Sequence, residues 1–360
     1  MFRQLLRVRR IRKRRNVTTA SSRADDVYER KTPLEHVLLR PGMYIGSTDM
    51  ITQEMYTFSK GNGSIKKRVV TLPPGLLKIF DEILVNAIDN KQRDKSMNRI
   101  DVDISSSGSR ISVRNNGRGI PIRLHKTENM YIPELIFGHL LTGSNFRDEG
   151  SRLTGGRHGY GAKLTNIFSK EFIVETSDGK TTYRQRWCDN MRSCEEPEVR
   201  SCGDKFGEEF TRVTFVPDLE HFGDVAVSET ILATLRRRVY DVAGCNPDVD
   251  VFFNGELVEL SSFADYAGLF VKNKDDVVTT SLGIPGWDVA VSTSSEQQFS
   301  HFSFVNNMAT HRGGTHVNLI ADHIAAPLAK HIARTNPELN VTPAQVKAHM
   351  FLMVKASVRI

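Results

Sequence analysis

The sequence predicts an α+β fold built around a layered sheet and divided into two units. Three observations carry this. Alternating apolar segments at 172–175, 182–187, 211–216 and 249–253, separated by Gly, Asp and Pro, group as an antiparallel sheet interrupted by one helix over 229–242. An amphipathic helix over 80–90 stands ahead of them. Near Ser261 a fresh series of strands and a helix begins.

At 360 residues the chain can bury a large core in two domains. No apolar run reaches membrane-spanning length, so it reads as soluble, with no membrane partner. The formal charge of +7 is unevenly placed. Nine of the 49 basic residues lie in 1–24, which holds no acidic residue, so the other 40 face all 42 acidic ones. The folded part therefore offers no charge argument for nucleic acid. The Arg-rich arm, with Phe2, Leu5 and Leu6 forming an apolar side and a Ser/Thr stretch behind, fits a mitochondrial transit segment. A nuclear-localisation cluster at 9–15, or an arm touching nucleic acid, is the rival reading. Cys188, Cys194, Cys202 and Cys245 form no CxxC pair and read as reduced thiols. His36, His125, His139 and His311 lack partners at metal-ligand spacing.

In chain order, Thr32 and Pro33 cap a short helix over 31–39, which stops before the turn at 40–46. Residues 59–68 read as a polar loop. Strands over 100–104 and 110–114 form a hairpin around Ser106-Ser107-Gly108. The second runs into Asn115-Asn116-Gly117-Arg118-Gly119, whose alternate glycines describe a tight turn and a close approach. An apolar helix spans 131–141. After 261, strands are expected at 287–292 and 302–305, a turn at 313–315 and a helix over 317–334 despite Pro327. The apolar run at 351–360 reads as a core strand, which suggests a chain cut from something longer.

The helix at 80–90 is unusual on its polar side. Phe80, Ile83, Leu84, Ala87 and Ile88 make one apolar stripe, while Glu82, Asn86 and Asn90 recur every four residues and stack in a row. Asn is a mediocre helix former, so this row suggests a hard cation or polar ligand against it. A plain solvated face is the competing reading. The stretch 154–163 places four Gly between 155 and 161, then Lys163, at a helix start. Free N–H groups, a favourable dipole and one cation suit a phosphate. It is not a P-loop, because Ala162 occupies the Lys position.

These three boxes, in this order, are similar to those of the ATPase superfamily of DNA gyrase, the heat-shock chaperone of the same fold, MutL-type repair proteins and histidine kinases. Within it the chain resembles the N-terminal ATPase region of eukaryotic type II DNA topoisomerase. The matching segments are Leu38-Leu39-Arg40-Pro41-x-x-Tyr44-Ile45-Gly46-Ser47, Phe80-Asp81-Glu82-Ile83-Leu84-Val85-Asn86-Ala87, Asn115-Asn116-Gly117-x-Gly119-Ile120-Pro121, Leu153-Thr154-Gly155-Gly156-Arg157-x-Gly159-Tyr160-Gly161-Ala162-Lys163-Leu164 and Ser303-Phe304-Val305-Asn306.

The resemblance implies a two-layer sandwich of that superfamily over 25–260, an incomplete α+β transducer domain over 261–360, and the basic segment 1–24 in front. It implies ATP and Mg²⁺ as cofactors, and a homodimer that traps DNA when an N-terminal strap including Tyr28 swaps onto the partner. Glu82 would be the general base, Asn86 the metal ligand, and Asn90 would face the nucleotide. Asn115 would read adenine, with Gly117 and Gly119 letting the base approach. Thr142 and Ser144 would contact ribose and phosphate. Arg157, Gly159, Tyr160, Gly161, Ala162 and Lys163 would wrap the phosphates, Lys163 neutralising charge as it builds. Gly143 and His158 depart from the family pattern, which usually has Ser and Asn there, and bear on nucleotide affinity. The family's switch lysine and DNA-cleaving centre lie beyond residue 360, so slow or poorly coupled hydrolysis is expected. The rival function is a chaperone or signalling module that closes on ATP; a sequence-specific DNA binder using the basic arm is weaker. Asp89, Asp94 and Trp187 read as structural.

Overall fold

The computed structural model describes residues 29–142 and 159–358, apart from 204–205, 224–225, 282 and 295. The basic arm, Tyr28, Gly143, Ser144, Arg157 and His158 lie outside the described residues.

Helix α1 (Pro33–Leu39) starts as expected. Thr32 accepts from the Glu35 N–H at 3.3 Å and its own N–H donates to the Glu35 carboxylate at 2.7 Å, a reciprocal cap. The region read as a polar loop at 59–68 is instead part of a hairpin. Strands β1 (Ile51–Ser59) and β2 (Ser64–Leu72) pair along their whole length, from Ile51 opposite Leu72 to Ser59 opposite Ser64. Lys66, Lys67 and Arg68 mimic a loop because this ribbon keeps both edges out of the larger sheets, so strand positions in its middle stay polar.

Helix α2 (Pro74–Arg93) buries Ile79, Phe80, Ile83, Leu84, Ala87 and Ile88, the stripe its 3.6-residue period predicts. Strands β3 (Arg99–Ile104) and β4 (Ile111–Asn116) follow, then α3 (Ile132–Gly138), which ends before His139 rather than at 141. Leu141 takes a positive φ of 61°, incompatible with a continuing helix. After α4 (Gly161–Ile167) come β5 (Ser169–Asp178), β6 (Thr181–Cys188), β7 (Ser193–Cys194), β8 (Glu198–Ser201) and β9 (Glu209–Pro217). Helix α5 (Glu229–Cys245) leads to β10 (Asp250–Phe253) and β11 (Glu256–Leu257).

These strands form one nine-stranded sheet in the order β11-β10-β3-β4-β9-β5-β6-β7, with β8 on β6. It is not purely antiparallel, because α5 carries the chain across so that β10 lies parallel to β3. Residues Ile100, Val102, Val113, Phe172, Val174 and Phe215 share one core with α2, α4 and α5. Arg114, on the alternate positions of β4, pairs with Asp101 at 3.4 Å. Trp187 is buried in the same core, as expected of a structural residue.

The second unit comprises α6 (Phe263–Gly268), β12 (Val278–Ser281), β13 (Asp288–Thr293), β14 (Ser300–Val305), β15 (Met308–Ala309), α7 (Thr315–Thr335), α8 (Pro343–Ala348) and β16 (Met350–Ala356). Its sheet runs β12-β13-β16-β14-β15. Strand β16 is central and buried on both faces, which is why it reads as an unbroken apolar run. Leu352 and Val354 meet Val317, Ala321 and Ala325 of α7. Phe351 and Met353 share the opposite cluster with Tyr266 and with Phe58 and Ile65 of the hairpin. The Phe58 ring stacks on Tyr240 of α5 with centroids 4.0 Å apart. Among the described residues, no helix is long and apolar enough to cross a membrane.

Candidate active site

Helix α2 turns its apolar stripe into the core, so the row Glu82, Asn86 and Asn90 is left on the open side; Asn86 is exposed and the other two are half-buried. Glu82 is held from two directions. Lys78, one turn earlier, pairs with its carboxylate. Across the site, a Cβ on Gly161 would overlap the Glu82 carboxylate, so the first residue of α4 is packed directly against it. Asn90 Nδ2 lies 3.4 Å from the Arg118 carbonyl oxygen, tying the far end of the row to the turn after β4.

That turn is built from short-range constraints. Asn115 is still within β4, 5 % exposed, opposite Thr211 of β9, and its Nδ2 donates to the Asn116 carbonyl at 2.9 Å. Gly117 has φ +82°, and a Cβ there would lie 2.7 Å from both Asp94 Oδ2 and Met97 Cβ. A Cβ on Gly119 would collide with the Ser177 carbonyl oxygen of β5. The close approach that the two glycines announce is thus already made in part by the protein's own chain. The Arg118 N–H donates to Asp94 Oδ2 at 2.6 Å, and the Ile120 N–H to Thr176 Oγ1 at 3.0 Å. The Arg118 N–H, and after it the Ser96 hydroxyl, hold the Asp94 carboxyl below its ordinary range.

Lys163 stands on α4 with only 2 % of its surface exposed. Its Nζ donates to the Thr142 carbonyl and, at 2.5 Å, to the Gly159 carbonyl. With carbonyls as its hydrogen-bond partners, burial pushes its pKa down from 10.5 to about 8. The Thr142 hydroxyl, expected to meet ribose or phosphate, donates here to the Leu135 and His139 carbonyls at 2.6 and 2.7 Å and closes the C-terminus of α3. Tyr160 packs against Tyr44 with ring centroids 6.3 Å apart, and Tyr44 is hydrogen-bonded to His36 Nδ1 at 2.9 Å. Ala162 is buried.

Three stretches far apart in sequence therefore converge: Glu82 meets Gly161, Asn90 meets Arg118, and Lys163 joins Gly159 to Thr142. A buried cation, a half-buried carboxylate at a helix start and an exposed amide one turn along α2 from that carboxylate make a donor set that fits a polyphosphate with a hard cation. Among the described residues no group of three or more His, Cys, Asp and Glu is placed to hold a metal ion. Sequence reasoning missed Lys78, whose i,i+4 spacing from Glu82 was available as a signal. It also set aside Asp94, whose role at Gly117 depends on a long-range turn that no local pattern reveals.

Residues 71–221 match the family model of histidine kinase-, DNA gyrase B-, and HSP90-like ATPases, and residues 260–360 that of DNA gyrase B. DNA topoisomerase 2-alpha of Gallus gallus is 46% identical over 339 residues, 92% of this chain and 22% of that protein. The Homo sapiens protein is 44% identical over 360 residues, 98% of this chain and 23% of that protein. The chain thus spans less than a quarter of the length of these relatives. Among solved structures, the ATPase region of Saccharomyces cerevisiae topoisomerase II superposes with a TM-score of 0.85 at 43% identity, covering 93% of this chain and 87% of that one. The 43K ATPase domain of Thermus thermophilus gyrase B, at 24% identity and TM-score 0.57 over 89% and 80%, shares the fold. The fold expected from the sequence, a sandwich of the gyrase and heat-shock chaperone type followed by a transducer domain, is the one present, and the chain belongs to the family of type II DNA topoisomerase ATPase regions.

Proposed function

We propose that this chain is the ATP-binding and hydrolysing clamp of a type II DNA topoisomerase, in which nucleotide binding pairs two chains around a DNA segment and hydrolysis releases it. The observation that carries the hydrolytic part is the Glu82 carboxylate lodged against Gly161, at the start of the helix that bears Lys163. Glu82 orients a water and accepts its proton as the water's oxygen attacks the terminal phosphorus. Lys163, already desolvated, offers its positive charge to the phosphate oxygens, where an interaction in a dry site is strongest. Asn86 would hold Mg²⁺ through its amide oxygen, and the ion would supply charge neutralisation on the phosphates. Asn115 presents an amide to the adenine edge at the floor of the sheet, and Asn90 steadies the turn beside it. Ser144 and Arg157 complete the phosphate contacts, and Thr142 contributes by fixing the chain that leads to them.

Glu82→Gln keeps the shape and removes the base. Hydrolysis is expected to fall at least about 10²-fold with nucleotide affinity nearly unchanged; hydrolysis at the original rate would end the assignment. A rival chaperone-like closure without strand passage is not favoured by the relatives named above, which are type II topoisomerases. Dimerisation through a strap including Tyr28 is tested by light scattering of the chain with and without residues 1–28, in the presence of Mg²⁺ and a non-hydrolysable ATP analogue. Nucleotide-dependent pairing that survives the deletion rules out the strap. The basic segment 1–24 we assign to mitochondrial import; a reporter fused to it that collects in the nucleus favours the nuclear alternative.

A further inference from the structure

Asp81 immediately precedes Glu82 on α2, and its Oδ1 accepts from Nε of Arg238 at 2.6 Å. The same guanidinium, 3 % exposed, donates through Nη2 to the Asn307 carbonyl at 2.6 Å. Asn307 sits at φ +63° in the turn joining β14 to β15, and its Oδ1 accepts from Asn246 Nδ2 at 2.9 Å. One buried side chain on α5 thus joins the helix that carries Glu82 to the sheet of the second unit.

Its third nitrogen is left over. Arg238 Nη1 and Asp241 Oδ2 are both buried, neither makes a hydrogen bond, and they face each other at 3.7 Å. Asp241 is otherwise engaged through Oδ1 by the Tyr266 hydroxyl at 2.8 Å, while Arg237 Nη1 lies nearer to the same Oδ2, at 3.3 Å, in an ion pair without hydrogen-bond geometry. A hydrogen bond between charged groups forms at about 2.7–2.9 Å, so a displacement of roughly 1 Å would make it. Where the guanidinium itself makes that displacement, its planar, rigid fork carries Nε and Nη2 along and lengthens the bonds to Asp81 and Asn307.

We infer that Arg238 is a positioning residue with two arrangements, one gripping Asp81 and Asn307 and one drawn onto Asp241, and that it couples the aim of Glu82 to the β14–β15 turn. Asp81 and Glu82 share a helical backbone, so a shift of the Asp81 anchor moves Glu82 with it. The coupling is reciprocal: a nucleotide that selects one position of α2 selects one position of the turn, and the turn's position biases nucleotide binding. The inference rests on the nucleotide reading of the Glu82 face.

Hydrogen–deuterium exchange on the 360-residue chain tests it, with and without Mg²⁺ and a non-hydrolysable ATP analogue. Exchange over 304–309 is expected to change at least about threefold on nucleotide addition. In Arg238→Lys, which keeps the charge and loses the fork, and in the near-isosteric Asp81→Asn, that response is expected to vanish. Analogue affinity should stay within about threefold and kcat should fall at least about tenfold. A purely structural role would lower thermal stability and leave the nucleotide response of the turn intact. Analogue binding with no response at 304–309 in the unaltered chain overturns the coupling alone, and so does a response that persists in a folded variant. Absence of analogue binding overturns the coupling and the nucleotide reading together. Should Arg238→Lys fail to fold by circular dichroism, the unaltered chain and Asp81→Asn decide.

Discussion

Glu82 and Gly161 occupy one place: the carboxylate of the first lies where a side chain on the second would have to begin. The glycine at the start of α4 therefore serves the partner's position as much as the backbone's own freedom, since its φ is not among the positive ones. Gly161→Ala is expected to push Glu82 out of line. Steady-state hydrolysis should drop about 10²-fold, with overpacking costing about 1–3 kcal/mol in urea unfolding. An unimpaired Gly161→Ala enzyme would show that Glu82 does not work from this position.

Lys163 sets a pH signature. Its pKa in the folded chain is about 8, against an ordinary value of 10.5. Between those values the folded state binds fewer protons than the unfolded one, so this group makes stability rise with pH from about 8 towards 10.5. Lys163→Met should remove that increment from a series of urea midpoints. A bound polyphosphate favours the charged form, so nucleotide binding near pH 8.5 should take up protons and weaken as pH climbs. Calorimetry in buffers of different ionisation enthalpy reads the uptake directly; none would contradict the contact.

Thr142 discriminates between direct and indirect roles. Its hydroxyl caps the Leu135 and His139 carbonyls. Thr142→Val should cost about 0.5–1.5 kcal/mol of stability, and a nucleotide titration should show only about a two- to threefold loss of affinity. A loss of about tenfold or more at unchanged stability would mean that the hydroxyl reaches the ligand.

Asp94 tethers the Gly117 turn through the Arg118 N–H. Asp94→Ala is expected to cost about 1–2 kcal/mol and to weaken nucleotide binding about fivefold, because Asn115 and Asn90 lose a common support. Its carboxyl titrates below its ordinary value of 3.8, so the stability it adds is fully present above that value and is lost as pH falls through the lowered folded one. Thermal melts of the variant and the unaltered chain should therefore differ less at pH 3 than at pH 6.

Much of the fold was legible where one periodicity dominated. The apolar stripe of α2, the β3–β4 hairpin, α5 and α7 all follow from side-chain spacing, and the last continues through Pro327 as its pattern suggests. The β1–β2 ribbon escaped because Lys66, Lys67 and Arg68 stand in a strand whose surroundings, not its composition, make it a strand. The parallel contact of β10 with β3 escaped because register across a helical crossover is a property of packing.

By itself the sequence determined which chemical groups exist and how they line up locally: a carboxylate and two amides on one helix face, glycines around a turn, a lysine at a helix start. Helical and strand periods act over a few residues, so they assign faces and nothing farther away. Only the tertiary structure decided who meets whom. It set Glu82 on Gly161, spent the Thr142 hydroxyl on α3, sank Lys163 among carbonyls and bound Asp81 to Arg238, 157 residues on. Those pairings depend on how sheets and helices close over one another, a long-range balance of burial against chain entropy that no short stretch contains.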